Sequence, residues 1–210
     1  MVADPPPSSP GPRPAPAPVG AVATSAHLGA SLWWCEELFA VVGAWVPSVP
    51  EAPARAHLAE LSRVLGEVAD QLAAHLARPS PIEARAWVVA PSAAAPRVVE
   101  ALAAPEATLD RLAGVHRVLV PRLLVAWAAL VAEPGEGTGR ALVRAVRRAR
   151  GDVGELGEEG EALVQAHVAV ADDGARRAGH HVGVVEGALV AAGGLVPVGP
   201  GALPSPADPV

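Results

Sequence analysis

The sequence contains no lysine, asparagine or tyrosine, and it has one phenylalanine and one isoleucine. All 16 basic residues are therefore arginine. These missing and rare residue types are encoded by AT-rich codons, so the composition is typical of a high-GC bacterial genome. The excess of alanine, valine, glycine and proline carries no functional signal by itself. The single Cys35 excludes an internal disulfide and a thiolate metal cluster, and we expect a cytoplasmic protein.

The chain also lacks excess positive charge and long apolar runs. Its net charge is −6 at pH 7, which disfavours a general nucleic-acid binder, because such proteins need basic charge to displace counterions from phosphate. The basic run at residues 140–150 is followed directly by the acidic residues 151–161. No segment reaches about 18 uncharged apolar residues, the length of a membrane span. We therefore predict neither a nucleic-acid partner nor a membrane partner.

The length of 210 residues, with 51% hydrophobic residues, allows one folded domain with tails. Residues 1–26 form a proline-rich lead that we expect to be disordered, because proline lacks the backbone N–H and fixes φ. Residues 27–170 are predicted to form a four-helix bundle. For residues 171–210 we expect a short helix and then a Gly/Pro-rich disordered tail.

Apolar residues recur every three or four positions in four stretches, as in helices that pack on neighbours. These helices are expected at about residues 28–46, 54–77, 106–132 and 138–168. The long connection between the second and third predicts a crossover rather than a tight turn. Pro121 predicts a kink, because it cannot donate to the carbonyl of Arg117. No segment alternates as a half-buried strand does, so the fold class is all-α.

Two carboxylates, Glu36 and Glu37, interrupt the apolar stretch SLWWCEELFAVVGAWVP. At about 100° per residue, Glu36 points away from the apolar face and Glu37 flanks it. Glu37 is thus a candidate ligand, with solvent exposure as the alternative. Bundles that hold two metal ions take one Glu from each of two helices and Glu-x-x-His from each of the other two. No predicted helix here contains Glu-x-x-His.

The nearest substitutes are His57 with Glu60, three positions apart, and His116 on the apolar stripe of the third predicted helix. For the first pair the alternative is a capping or surface role; for His116 it is a core histidine that donates to a carbonyl. A fourth ligand would be a carboxylate of the last predicted helix. The candidate metal ligands are Glu37, His57, Glu60, His116, Asp152 and Glu155.

Four glycines recur at a strict interval of three in the last predicted helix: Gly151, Gly154, Gly157 and Gly160. Each costs about 1 kcal/mol relative to alanine inside a helix. The pattern predicts either a close crossing with another helix or a locally destabilised helix whose carboxylates are exposed to solvent.

Four segments resemble a known protein family in their order along the chain and in their general residue pattern. They are LWWCEELFAVVGAWVPSVPEA, LAELSRVLGEVADQL, LDRLAGVHRVLVPRLLVAW and RALVRAVRRARGDVGELGEEGEALVQ. Over roughly residues 28–168 the chain resembles the ferritin-like domain proteins of high-GC bacteria. The resemblance implies a ferritin-like four-helix bundle with a long crossover, in a superfamily whose active members bind two irons and oxidise iron or activate oxygen. Where such members carry histidine on the second helix, this chain has Val64, Leu65 and Val68, which implies a degenerate metal site.

The sequence and the resemblance together leave two functions open. The favoured one is a metal-free bundle, without a cofactor, that acts by binding a protein partner or another copy of itself. The alternative is an enzyme, a non-standard di-metal oxidase or ferroxidase that uses iron or manganese at the six candidate residues.

Overall fold

The computed structural model describes residues 19–76, 85–132 and 139–196. Within these ranges the chain forms six α-helices and no strand, which confirms the all-α prediction. The helices are α1 (Val19–Trp45), α2 (Ala52–Ala73), α3 (Ala95–Ala103), α4 (Thr108–Ala132), α5 (Arg140–Val170) and α6 (Gly174–Ala191). A single 3₁₀ turn follows α1. Helices α1 to α5 lie wholly or partly within residues 27–170, so the four-helix bundle predicted for that range is not confirmed.

Two helices extend beyond their predicted limits. Helix α1 begins at Val19, inside the predicted disordered lead, because no proline interrupts the chain between Val19 and Trp45. Helix α6 is longer than the short helix expected near residues 181–192, and it ends at Ala191, just before Gly193 and Gly194, which have φ of 82° and 95°. The rest of the predicted lead, residues 1–18, and of the tail, residues 197–210, lies outside the described residues.

Helices α1 and α2 form an antiparallel pair. Ser62 of α2 lies against Gly43 and donates a hydrogen bond of 2.9 Å to the carbonyl of Phe39. The Phe39 ring in turn lies against Gly66, one turn further along α2. Later residues of α2 therefore contact earlier residues of α1, as in an antiparallel pair.

Helices α4 and α5 form a second antiparallel pair, joined by an ion pair between Arg117 and Glu161. Helix α6 packs on α4 in the parallel direction. Its Arg177 pairs with Asp110 at 3.0 Å, and its Glu186 pairs with Arg122 at 2.8 Å, so both contacts advance together along the two helices.

The connection between α2 and α4 runs back along the bundle. Thr108, the first residue of α4, donates a 2.7 Å hydrogen bond to the carboxylate of Glu51, which precedes α2. Nearby, Arg111 donates to Ser48 at 2.8 Å. The first turns of α2 and α4 thus lie side by side. Helix α2 has 22 residues and is therefore about 33 Å long, so the chain leaves it about 33 Å from the start of α4. The crossover is therefore present, and it contains α3.

The interior is one apolar cluster to which all six helices contribute. Its largest fully buried side chains are Trp34 and Trp127. The indole Nε1 of Trp34 donates a 2.7 Å hydrogen bond to the carbonyl of Leu195, which holds the segment after α6 on α1. The tryptophans thus stabilise both the core and the position of the described C-terminal segment.

Pro121 lies within α4 without ending the helix. A π turn spans Val115–Leu119, and the N–H of Val120 reaches the carbonyl of Val115, five residues back. The wider turn accommodates a residue that cannot donate to the carbonyl four positions earlier. Pro121 was predicted to kink the helix; what the structure shows just before it is this π turn, and His116 lies within the turn.

Helix α4 is also long and apolar enough to cross a membrane by length and composition. Its most apolar window has a mean hydropathy of 1.6, and 50% of that window is buried by the rest of the protein. Such burial is typical of the central helix of a bundle. The absence of a membrane partner stays a prediction.

Candidate functional site

Two of the predicted candidates, His57 of α2 and His116 of α4, meet inside the bundle. Their Nε2 atoms lie 3.1 Å apart, and the residues are 8% and 4% exposed. The contact arises because α2 and α4 begin side by side and run in the same direction, which places the early turns of both helices at one level. The surface role expected for His57 and the carbonyl contact expected for His116 are both replaced by this bond.

The protons of the pair can be assigned from the groups around it. Only one proton lies between the two Nε2 atoms, and the carboxylate of Glu159 lies 3.7 Å from Nδ1 of His57. Nδ1 of His116 is buried with no hydrogen-bond partner. If His116 donates through Nε2, His57 carries its own proton on Nδ1, facing Glu159. The reverse arrangement buries an unsatisfied N–H at His116 and faces a bare nitrogen toward a carboxylate, so the first is favoured.

Gly160 of α5 makes room for the buried imidazole. A Cβ atom at this position would lie 2.1 Å from Cε1 of His116, so any side chain would displace the ring. One turn earlier, a Cβ at Gly157 would lie 3.1 Å from a methyl group of Val120. The close helix crossing predicted from the glycine repeat is therefore present at its two C-terminal positions.

Burial keeps the pair neutral at pH 7. The pKa of His116 is lowered to about 3, chiefly by burial and also by the nearby His57, and Glu161 opposes the shift. Burial also lowers the pKa of His57, against the attraction of Glu159. Hydrogen bonds from Arg117, at 2.9 and 2.8 Å, hold the pKa of the Glu161 carboxyl below its usual range.

An open cleft of about 570 Å³ lies between α2 and α5, with His57 in its wall. Its lining residues are Pro53, Ala56, His57, Glu60, Glu159, Ala162 and Leu163. Glu60 turns to Arg63 of its own helix, and the Glu159 side chain is 69% exposed. Sequence reasoning missed Glu159, because no motif distinguishes it from the neighbouring carboxylates of α5.

The remaining candidates do not join the histidines in one site. Asp152 lies on the surface of α5 and pairs with Arg148 at 3.7 Å, and Glu155 is exposed on the same helix. Glu37 is half-buried in α1. Across residues 19–76, 85–132 and 139–196, no three His, Cys, Asp or Glu side chains converge as ligands of a metal ion.

This donor set does not fit two iron or manganese ions. A di-metal carboxylate centre requires several bridging carboxylates together with two imidazoles, and the two imidazoles here bond to each other. The second-helix positions Val64, Leu65 and Val68 are buried in the apolar core. At these positions the chain has aliphatic side chains, whereas the resemblance implies histidine.

Comparison of the chain with protein-family models, with curated proteins and with solved structures found no match.

Proposed function

We propose that this chain is a cytoplasmic, metal-free helical bundle of ferritin-like type that acts by associating with protein rather than by catalysis. The arrangement of its helices supports the fold assignment. Two antiparallel pairs, α1 with α2 and α4 with α5, are joined by one connection that returns along the bundle. Ferritin-like folds also combine two antiparallel pairs with one long crossover, and this likeness supports the proposal. Helix α6 packs in addition on α4.

The observation that carries the functional proposal is the bond between His57 and His116. Each ring uses its Nε2 atom on the other ring, at 3.1 Å, and Gly160 lies against the face of the second ring. The Nε2 atoms of the two buried rings are thereby satisfied by each other, and the nearby carboxylates of Glu159 and Glu60 face solvent or pair with arginine. We therefore expect other molecules to bind to the outer surface of this bundle and not to a site in its interior.

The outer surface has the character that such a role requires. Helix α5, the longest helix of the described ranges, exposes arginines along its first half and glutamates along its second half. On the parallel helices α4 and α6, Val125 and Val190 are 67% and 73% exposed, each about one turn beyond the Arg122–Glu186 ion pair. Protein contact surfaces have an apolar centre and a polar rim, and the two valines beside this ion pair offer that combination.

Metal analysis tests the proposal against the di-metal oxidase alternative. The full chain would be expressed with added iron and manganese, together with His116→Ala, Glu37→Ala and the exposed control His180→Ala. We expect no stoichiometric metal in any of the four proteins. About two equivalents per chain, lost in the first two variants and kept in the control, would overturn the proposal and favour the oxidase.

A further inference from the structure

The outward face of α5 carries a regular sequence of charges. The side of this helix that packs inward includes Val146, Val153 and Leu156. At 3.6 residues per turn, the opposite stripe is formed by exposed residues spaced by three or four positions. These are Arg140, Arg144, Arg147, Gly151, Glu155, Glu158 and Ala162. The stripe is thus basic before Gly151 and acidic after it.

The charges are arranged symmetrically about Gly151. Arg147 and Glu155 lie at equal distances before and after it along the helix, and so do Arg144 and Glu158. When a second copy of α5 lies antiparallel to the first, with a two-fold axis at Gly151, each arginine faces a glutamate of the other copy. A parallel alignment instead places arginine beside arginine. The stripe is therefore complementary to itself in one direction only.

The side chains of the stripe have no competing partners in the described part of the chain. The ion pair on α5 nearest to the stripe joins Arg148 to Asp152, which lie to one side of it. None of the ion pairs in these ranges includes Arg144, Arg147, Glu155 or Glu158. Within residues 19–76, 85–132 and 139–196, therefore, no ion pair competes with another molecule for these four charges.

The glycine repeat independently indicates that α5 contacts another molecule. Gly157 and Gly160 are required by internal packing against Val120 and His116. By contrast, a Cβ atom at Gly151 or Gly154 would meet nothing within 4 Å. Internal packing therefore does not account for the two glycines near the centre of the stripe, although glycine weakens a helix. Their lack of side chains permits the close approach of another backbone at the two-fold axis.

From these observations we infer that α5 is a self-association surface, on which a second copy of this chain docks antiparallel about Gly151. The two-fold axis forms each ion pair twice, so that Arg147 faces Glu155 and Arg144 faces Glu158 at both ends. This inference rests on the proposed function and names the partner as another copy. Because the contacts are exposed ion pairs, salt weakens the dimer.

A charge exchange tests the surface. The first variant, Arg144→Glu with Arg147→Glu, makes every charge of the stripe between residues 144 and 158 acidic. The second, Glu155→Arg with Glu158→Arg, makes these charges basic. The matched control, Glu100→Arg with Glu106→Arg, changes the net charge as much as the second variant, at exposed positions on or near α3. Sedimentation velocity of the full chain measures the mass, and circular dichroism verifies that each variant retains its helix content.

We expect wild-type protein and the control to dimerise at low salt, with the dissociation constant rising about tenfold or more in 0.5 M NaCl. Each exchange variant alone is expected to be monomeric, because like charges then face each other. An equimolar mixture of the two is expected to recover a dimer, since an acidic stripe then faces a basic one. This recovery separates a surface effect from misfolding.

Three results would overturn the inference: a wild-type chain that is monomeric at low salt, a dimer that persists in both variants, or a mixture that stays monomeric. If the first variant does not fold, the neutral variant Arg144→Gln with Arg147→Gln is measured alone in its place; it is expected to be monomeric, because it loses the ion pairs, and a dimer as stable as that of the wild type would overturn the inference. A monomeric, metal-free wild type would refute the second copy as partner and leave association with a different protein in place. Stoichiometric metal in a dimer would instead refute the proposed function and leave the surface in place.

Discussion

Acidification should destabilise the protein through His116, because this side chain is neutral in the folded state. Its pKa is lowered from 6.5 to about 3, chiefly by burial, whereas the unfolded chain has the ordinary value. Between these two values the unfolded chain binds a proton that the folded chain excludes. The free energy of unfolding therefore falls as the pH falls below about 6.5, and it rises as the pH rises.

The size of the effect follows from the linkage relation. One such histidine contributes about 1.4 kcal/mol per pH unit below its unfolded pKa, which amounts to about 2 kcal/mol between pH 7 and pH 5. This figure changes little if the folded pKa differs by one unit, because pH 5 lies above it in either case. Burial also lowers the pKa of His27, His57 and His181, so the wild-type loss exceeds the share of His116.

The share of His116 is isolated by comparing variants. Urea unfolding at pH 7, 6 and 5 would be measured for wild type, His116→Gln and the exposed control His180→Gln, in about 0.5 M NaCl to suppress the proposed dimer. We expect the His116→Gln protein to lose about 2 kcal/mol less than wild type over this range. The control is expected to follow wild type. Equal pH dependence in wild type and His116→Gln would refute the assignment of a neutral, buried imidazole.

Two further predictions concern packing. Gly160→Ala places a methyl group 2.1 Å from the His116 ring and should lower the unfolding free energy by about 1–3 kcal/mol. The matched change Gly183→Ala, at an open position of α6, should raise it by about 0.5–1 kcal/mol; equal effects in urea unfolding would contradict the role of Gly160. Trp34→Phe removes the donor to the Leu195 carbonyl and should cost about 1–3 kcal/mol with faster amide exchange near Leu195. Trp33→Phe is the control, and unchanged exchange in Trp34→Phe would count against the anchoring hydrogen bond.

The local periodicity of the sequence was sufficient for the helices but not for the site. Apolar spacing predicted the long helices, because the spacing acts over a few neighbouring residues; the kink predicted from Pro121 stays a prediction, and the structure has a π turn beside it. Glu159 and the bond of His57 to His116 were not predicted. Their positions depend on the register between α2, α4 and α5, and no residue spacing within one helix contains that information.

By itself, therefore, the sequence determined an all-α chain, the approximate limits of its helices and the set of histidines and carboxylates available for chemistry. Only the tertiary structure decided which of these meet. His57 and His116 are 59 residues apart and come together because the crossover returns α4 to the beginning of α2. The structure likewise decided which α5 glycines serve internal packing and which face outward, since that depends on the side of the helix that the bundle buries.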